Sequence, residues 1–439
     1  MKMNLENCIG REIHCECGRV HAATVNDIVI GAGVLSELPA LVKKYGSKPY
    51  ILDDINTHAA AGARVAEILR DFAPAAHTLP WERPEPTETT VGSAIMHFDH
   101  ACDVVIAVGS GVVGDTAKIV ARTAKVPMIT VATAPSMDGF ASATSSMTRG
   151  GLKISLPSTC PVAIVADTDI VKNAPARMLA SGVGDMVAKY LSICEWRISH
   201  IVTGEYYCEN VAEAVRQALR EVVSNATGLA NREPAAVEAV VRGLILSGVS
   251  MTWANLSRPA SGIEHSISHI WDMRAEEFGT PWDFHGIQCG IGTIVGLKLF
   301  KFLRQITPDR DKAKAFAAAY DKEKLFAFLR QYMGRGAEAM IAPEARDGKY
   351  DPAKHAARLE IILAHWDEIC AIIDEELPEI EAVEAVLRTV GAPTTAAEIG
   401  LGGTLVDTLE ATKDIRDKYV LSRLRWDLGV IEEAGRVME

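Results

Sequence analysis

The chain has no surplus of positive charge: 45 Lys and Arg face 57 Asp and Glu, a formal net charge of −12. A nucleic-acid surface, which needs a basic face, is therefore not expected, although a few local cations suffice for a small anion. Cysteine is sparse, with nine thiols at irregular spacing in 439 residues. An odd, scattered set does not form a disulfide framework, so reduced thiols are expected. The first ten residues contain no apolar core of signal-peptide length, and no later stretch reads as long and charge-free enough to span a bilayer. These absences lead to the expectation of a cytoplasmic protein without a membrane span.

What is present suggests two domains, because 439 residues at 48% hydrophobic exceed the size at which one core keeps growing. Short β-rich runs alternate with amphipathic ones up to about residue 175. The strands expected are Asp27 to Ile30, Tyr50 to Leu52, Asp103 to Val108, Met128 to Val131 and Val162 to Val165. Such alternation reads as a doubly wound parallel sheet, a Rossmann-like α/β domain over 1–175. Strand signals stop after Asn173-Ala-Pro175, and the helical periodicity of Val211 to Val223, Ala235 to Val249 and Arg358 to Ile373 marks an all-helical domain over 176–439.

One segment, His14-Cys-Glu-Cys-Gly-Arg-Val-His21, resembles a metal knuckle at first sight. A single residue separates its cysteines, not the usual two to four, so it reads as a hairpin within about 11–24, Ile13 to Cys17 returning through Val20 to Ala23.

Two constellations carry chemistry. In the α/β half, Gly109, Ser110, Gly111 and Gly114 follow a strand and open a helix, where glycine lets backbone approach a pyrophosphate and free amides donate to it. A second turn, Thr133 to Ser142, places hydroxyls at the next strand end, and Asp53 and Asp54 end the strand at Tyr50 to Leu52. The aspartates offer acceptors to ribose hydroxyls or simply cap the helix before Thr57. In the helical half, Asp185, His265 and His285 each lie near a glycine in apolar helical sequence. One carboxylate and two imidazoles suit a divalent metal with a position left open for substrate. Because the two constellations lie in different halves, the site is expected in the cleft between them.

The segments Gly109-Ser-Gly through Asp115, Thr133-Ala-Pro-Ser-Met-Asp-Gly139, Gly182-Val-Gly-Asp-Met-Val-Ala-Lys-Tyr190, Ser261-Gly-Ile-Glu-His-Ser-Ile-Ser-His269 and His285-Gly-Ile-Gln-Cys-Gly290 together resemble the sn-glycerol-1-phosphate dehydrogenase family, in its bacterial branch associated with arabinose operons. That family sits in the superfamily of glycerol dehydrogenase, iron-containing alcohol dehydrogenase and dehydroquinate synthase. The resemblance implies a dehydroquinate synthase-like fold and reduction of dihydroxyacetone phosphate by NADH or NADPH to sn-glycerol 1-phosphate, the stereochemistry of archaeal-type ether lipids. It implies metal ligation by Asp185, His265 and His285, with Asp185 also near substrate, and Asp138 and His269 facing the glycerol moiety. It further implies cofactor contacts from Gly111, Val112, Val113, Gly114 and Asp115, from Thr133, Ala134, Pro135, Ser136 and Ser142, and from Asp54 at the adenosine ribose. A homodimer is the assembly known among the bacterial relatives, with Leu401 to Glu439 a candidate for subunit contact.

Departures from the sister families narrow the expectation. Iron-type alcohol dehydrogenases carry a histidine four residues after the metal-binding aspartate, where this chain has Lys189. Zinc or nickel is therefore expected over iron. Dehydroquinate synthase has a glutamate at the position of Asp185, which disfavours a lyase. A glycerol dehydrogenase without phosphate recognition stays open, as does a nucleotide- and metal-binding regulator without turnover. The cations considered for the phosphate are Arg149, Lys153, Arg258 and Arg274, while the C-terminal third, from about Ala315, reads as helical packing without chemistry.

Overall fold

In the computed structural model, residues 3–436 are described; Met1, Lys2 and residues 437–439, the last of the stretch considered for subunit contact, lie outside the described residues. Strands β1 (Glu12–His14) and β2 (Val20–Ala22) form an antiparallel hairpin. The expected first strand of that hairpin is shorter than read, ending at His14, so Cys15 and Cys17 belong to the turn.

The main sheet contains β3 (Asp27–Gly31), β4 (Pro49–Asp54), β5 (Ala75–Leu79), β6 (Val104–Gly109), β7 (Met128–Ala132) and, after the hairpin of β8 (Thr144–Arg149) and β9 (Leu152–Pro157), β10 (Ala163–Asp167). Its six strands run in the order β3-β10-β7-β6-β4-β5, every neighbouring pair parallel. Strands β4, β6, β7 and β10 are buried along their whole length, in keeping with sequences that are apolar except for Thr130 and for Asp53, Asp54 and Asp167 at the carboxyl ends. Alternate residues serve opposite faces. Ile51, Val104, Ile106 and Val108 pack in one apolar cluster with Leu38 and Val65, and Tyr50, Leu52, Val105 and Ala107 in another with Val113 and Ala117.

Two elements were not legible. Strand β5, Ala-Ala-His-Thr-Leu, is an edge strand with little β-branched content. The β8–β9 hairpin turns at Gly150 and Gly151, whose φ angles of 57° and 79° suit a two-residue hairpin turn.

From β4 the chain passes to β5 on one side, and then β6 returns to the other side of β4. Strand order reverses between β4 and β6, so the crevice beyond their carboxyl ends is the expected ligand position in such a sheet. Asp53 and Asp54 end one strand there, and Gly109 and Ser110 follow the other. Helix α1 (Gly111–Ala124) starts at that crevice.

Beyond Asp167 the regular structure of the described residues is helical. The site involves α2 (Ala176–Val187), α3 (Lys189–Thr203), α4 (Pro234–Ala254), α5 (Ile263–Phe278) and α6 (His285–Gln305). One apolar cluster joins these helices, through Val183, Leu191, Ile245, Ile267 and Ile291, to Ile164 and Ala166 of the sheet. The periodic run from Arg358 to Ile373 is interrupted at His365, giving helices Pro352–Ala364 and Trp366–Glu376. Contrary to the sequence reading, α4 and α6 are long and apolar enough to cross a membrane by length and composition, with mean hydropathies of 1.4 and 1.3. Both are mostly buried inside this chain, and their apolar length serves the core that carries the site.

Candidate active site

Close helix packing brings the expected metal donors together. A Cβ added to Gly286 of α6 would lie 1.8 Å from the Ser181 carbonyl oxygen of α2, and one on Gly184 would lie 2.1 Å from the Gly286 carbonyl oxygen. Glycine at both positions lets the two helix backbones touch, which brings Asp185 of α2 against His285 of α6. Alanine at Gly286 is expected to push the helices apart, destabilising the protein by about 1–3 kcal/mol and weakening metal binding. Denaturant unfolding and metal titration of the variant check this.

Within this contact, donor atoms of Asp185, His265, His285 and Cys289 all lie within 4.8 Å of one another. His265 Nε2 is 3.5 Å from Asp185 Oδ1, and the rings of His265 and His285 have centroids 4.9 Å apart. Second partners orient both rings: His265 Nδ1 pairs with Glu264 Oε1 at 2.8 Å, and His285 Nδ1 pairs with Ser268 Oγ at 3.0 Å. Each ring thus keeps Nε2 for the shared centre, as metal-ligating histidines usually do. The donor set fits a divalent cation. Cys289 went unnoticed in the sequence, although it follows His285 by four residues and so faces the same way on a helix; its Sγ lies 3.6 Å from His285 Nε2.

Lys189 is engaged by the carboxylates beside the donor set. Its ammonium is fully buried, 3.0 Å from Asp185 Oδ1, 2.8 Å from Asp138 Oδ2 and 3.0 Å from the Ala260 carbonyl oxygen. Burial alone would raise the Asp185 carboxyl, but the Lys189 charge, followed by His265, holds it well below the usual carboxylate range. Asp138 is fixed beside it: Ser247 Oγ of α4 donates to Oδ2 at 2.7 Å, and the Asp138 amide donates to Asp185 Oδ2 at 2.8 Å. Two carboxylates and one lysine form a buried unit that joins the β7 turn to the helices.

His269 stands next to the donor set. Its ring centroid is 6.3 Å from that of His265 and 5.8 Å from that of His285, and its buried Nδ1 has no hydrogen-bond partner among the described residues. Burial, then the charge of Arg416, then His285, His265 and Lys153 keep this ring well below the ordinary histidine pKa.

The expected cofactor residues gather at the strand-order reversal. Gly111, Val112, Val113, Gly114 and Asp115 form the start of α1, which no side chain caps. Nothing lies within 4 Å of a Cβ added to Gly114, so protein atoms leave the space before this turn free, while Val113 packs inward. Ser110 Oγ joins this turn to the next through Ala134 O at 3.2 Å and Ser136 Oγ at 2.6 Å, and the Thr133 amide donates to Gly109 O at 3.2 Å. A Cβ on Gly182 would lie 2.0 Å from Pro135 O, so α2 seats directly under that second turn. Lys118 lies behind both turns, bonded to Asp115 Oδ1 and Ser142 Oγ at 3.0 Å each. Those two side chains therefore brace the turns from inside. Asp54 caps the following helix in a reciprocal pair with Thr57, and Asp53 pairs with His58 Nδ1 at 2.8 Å.

Of the cations considered for the phosphate, Arg258 is occupied by Glu205, Ser199 and the Tyr419 carbonyl, and Arg274 by the Tyr332 carbonyl. Arg149 is exposed, and Lys153 sits 3.5 Å from Asp272 with its charge acting on His269. One segment of the C-terminal third, which the sequence reads as helical packing, lies against the residues that precede α5. This segment, 412–420, brings Lys418 Nζ to Ser261 Oγ at 3.1 Å, and Arg416 Nη2 is buried without a partner among the described residues.

Comparison with known proteins bears on this geometry. Residues 29–175 match the family model described as iron-containing alcohol dehydrogenase. A glycerol-1-phosphate dehydrogenase [NAD(P)+] of Bacillus licheniformis is 34% identical over 335 residues, 73% of this chain and 83% of the relative. The chain belongs to the glycerol-1-phosphate dehydrogenase family. Its relative of the same description from Halalkalibacterium halodurans is 28% identical across 93% of this chain and 94% of its own length. Among solved structures, a probable glycerol dehydrogenase from Sinorhizobium meliloti aligns over 94% of this chain and 98% of its own with a TM-score of 0.60 at 20% identity. The NADH-dependent butanol dehydrogenase A of Thermotoga maritima aligns over 95% and 98% with a TM-score of 0.59 at 16% identity. These structural likenesses establish the dehydroquinate synthase-like fold for this family member.

Proposed function

We propose that the chain reduces dihydroxyacetone phosphate to sn-glycerol 1-phosphate with NADH or NADPH, reversibly and with one divalent metal. The observation that carries this reading is the extent of the family match, 93% of the chain for one relative, joined to a full donor set and a cofactor turn. We infer that Asp185, His265 and His285 hold the metal, zinc or nickel in preference to iron because Lys189 stands where iron-type alcohol dehydrogenases carry a fourth ligand. A cation held there would supply polarisation of the ketone carbonyl, and a reduced nicotinamide cofactor, its pyrophosphate at the turn Gly111 to Asp115 and its flank lined by Thr133 to Ser136 and Ser142, would supply hydride, with the Asp115 and Ser142 side chains bracing those turns.

The protein's own part is to orient and to move a proton. Lys189 holds Asp138 and Asp185 in place, so Asp138 presents its remaining acceptor capacity to a glycerol hydroxyl. His269 relays the proton to the oxygen at C2. A ring kept neutral accepts at one nitrogen as it donates from the other, and its unpaired Nδ1 leaves a site for that exchange. Asp54 has one carboxylate oxygen engaged in capping and offers the other to the adenosine ribose. The reading includes a cytoplasmic homodimer and a division into α/β and helical domains near residue 175, supported by the end of strand formation at Asp167.

The test is initial-rate oxidation of NADH and NADPH by metal-reconstituted protein with dihydroxyacetone phosphate and, in parallel, dihydroxyacetone, followed by assay of product chirality. Preference for the phosphorylated ketone with sn-glycerol 1-phosphate as product is expected. Preference for dihydroxyacetone would make it a glycerol dehydrogenase, and no oxidation of either cofactor would point to a non-catalytic binding protein.

A further inference from the structure

A second cluster of metal-type donors lies outside this site. Cys15 and Cys17 in the β1–β2 turn, His21 of β2 and Cys208 place one donor atom each within 4.8 Å of one another, with His21 and Cys208 buried. Zinc bonds of about 2.3 Å to sulfur and about 2.0–2.1 Å to nitrogen, at tetrahedral angles, set sulfur pairs about 3.8 Å and sulfur–nitrogen pairs about 3.6 Å apart. Here Cys15 Sγ and Cys208 Sγ are 3.7 Å apart, and His21 Nε2 lies 3.4 Å from Cys17 Sγ and 3.5 Å from Cys208 Sγ. A disulfide would need sulfurs about 2.05 Å apart, and it would leave the imidazole without a purpose.

The surroundings match those of a structural metal. His21 Nδ1 lies 2.7 Å from the carbonyl oxygen of Trp253, one of the carbonyls left open at the C-terminal end of α4. That bond fixes the ring so that Nε2 faces the cysteines, the outer-shell device expected of a metal-bound histidine. Cys208 is the cap residue preceding helix Glu209–Ser224, which places its Sγ at the helix start beside the hairpin turn. Asn210 Nδ2 donates to Cys15 Sγ at 3.2 Å, and Tyr206 Oη pairs with Cys17 Sγ at 3.3 Å, so two sulfurs have polar partners suited to negative charge. The short spacing that made the sequence read as a simple hairpin is met by the turn at Gly18, with a φ of 82°, which turns both thiols toward a fourth ligand almost two hundred residues away.

We propose that Cys15, Cys17, His21 and Cys208 bind one zinc ion that staples the N-terminal hairpin to the helical part of the chain, independently of the catalytic metal. Four protein ligands close the coordination sphere, so the site is structural. It joins three segments that otherwise share few polar contacts: the hairpin, the start of helix Glu209–Ser224 and the end of α4, whose Ser247 holds Asp138.

Metal analysis of the full chain, purified without chelator, tests the assignment. About two metal equivalents per chain are expected, one of them zinc. Cys208→Ser and Cys17→Ser should each lose that zinc and keep the other metal, and His265→Ala should show the converse. Refilling metal-free protein with Co²⁺ should produce the strong visible absorption of tetrahedral, thiolate-bound cobalt, retained in Cys289→Ala. This spectrum decides the matter even if the cysteine variants fail to fold. The proposal is overturned if the wild type binds only one equivalent, if the cobalt bands vanish with Cys289→Ala, or if intact mass shows the loss of two hydrogens expected of a Cys15–Cys208 disulfide.

Discussion

Alanine at His265 is expected to remove the catalytic metal and lower turnover by at least ~10³-fold, since a Lewis acid contributes several kcal/mol to stabilising charge that develops on oxygen. The adjacent variant His269→Ala should keep full metal occupancy while losing ~10²–10⁴-fold in kcat, the range for a positioned proton donor. Geometry separates the two. His265 turns Nε2 toward Asp185 at 3.5 Å and anchors Nδ1 on Glu264, whereas His269 lies outside the group of converging donors and its Nδ1 has no partner. Both residues sit one turn apart on α5, so a general disturbance of that helix would affect the two variants alike. Metal analysis alongside initial rates checks the pair. Retention of full metal and activity by His265→Ala would show the ligand set to be wrong, and loss of metal from His269→Ala would place that ring inside it.

The sequence revealed the strands that are buried on both faces, because the bodies of β4, β6, β7 and β10 are almost wholly apolar and therefore announce themselves. Edge strand β5 and the β8–β9 hairpin carry no such requirement. At the site, glycine adjacency was visible for Asp185 and His285, but its reason was not: Gly184 and Gly286 let α2 and α6 touch. Cys289 could have been found from its spacing to His285. Arg416 and Lys418 could not, since nothing local in a segment 157 residues away says that it folds over Ser261. The Cys15–Cys17 turn shows the same limit in another form. Its one-residue spacing gave no hint of the donor cluster, because the fourth donor, Cys208, is distant in sequence.

Substitution of Arg416 should discriminate between phosphorylated and unphosphorylated ketones. Nη2 of this guanidinium is buried without a partner among the described residues, and burial depresses its basicity, although the residue as a whole is only partly buried. Its charge is also the largest electrostatic influence on His269, ahead of the neighbouring imidazoles and Lys153. A cation poised beside the proposed proton relay, lacking an internal anion, is suited to a substrate phosphate, which it grips through two parallel N–H donors. Arg416→Ala should therefore lower kcat/KM for dihydroxyacetone phosphate by ~30-fold or more, the effect of removing about 2–5 kcal/mol from a buried charge pair. Turnover of dihydroxyacetone, with no phosphate to hold, should change little. Arg416→Lys should restore part of the loss, because it returns the charge without the planar fork. An equal fall on both ketones would mean that the arginine supports the loop and nothing more. An unchanged preference for the phosphorylated ketone would move phosphate recognition to Lys153, the other cation whose charge acts on His269.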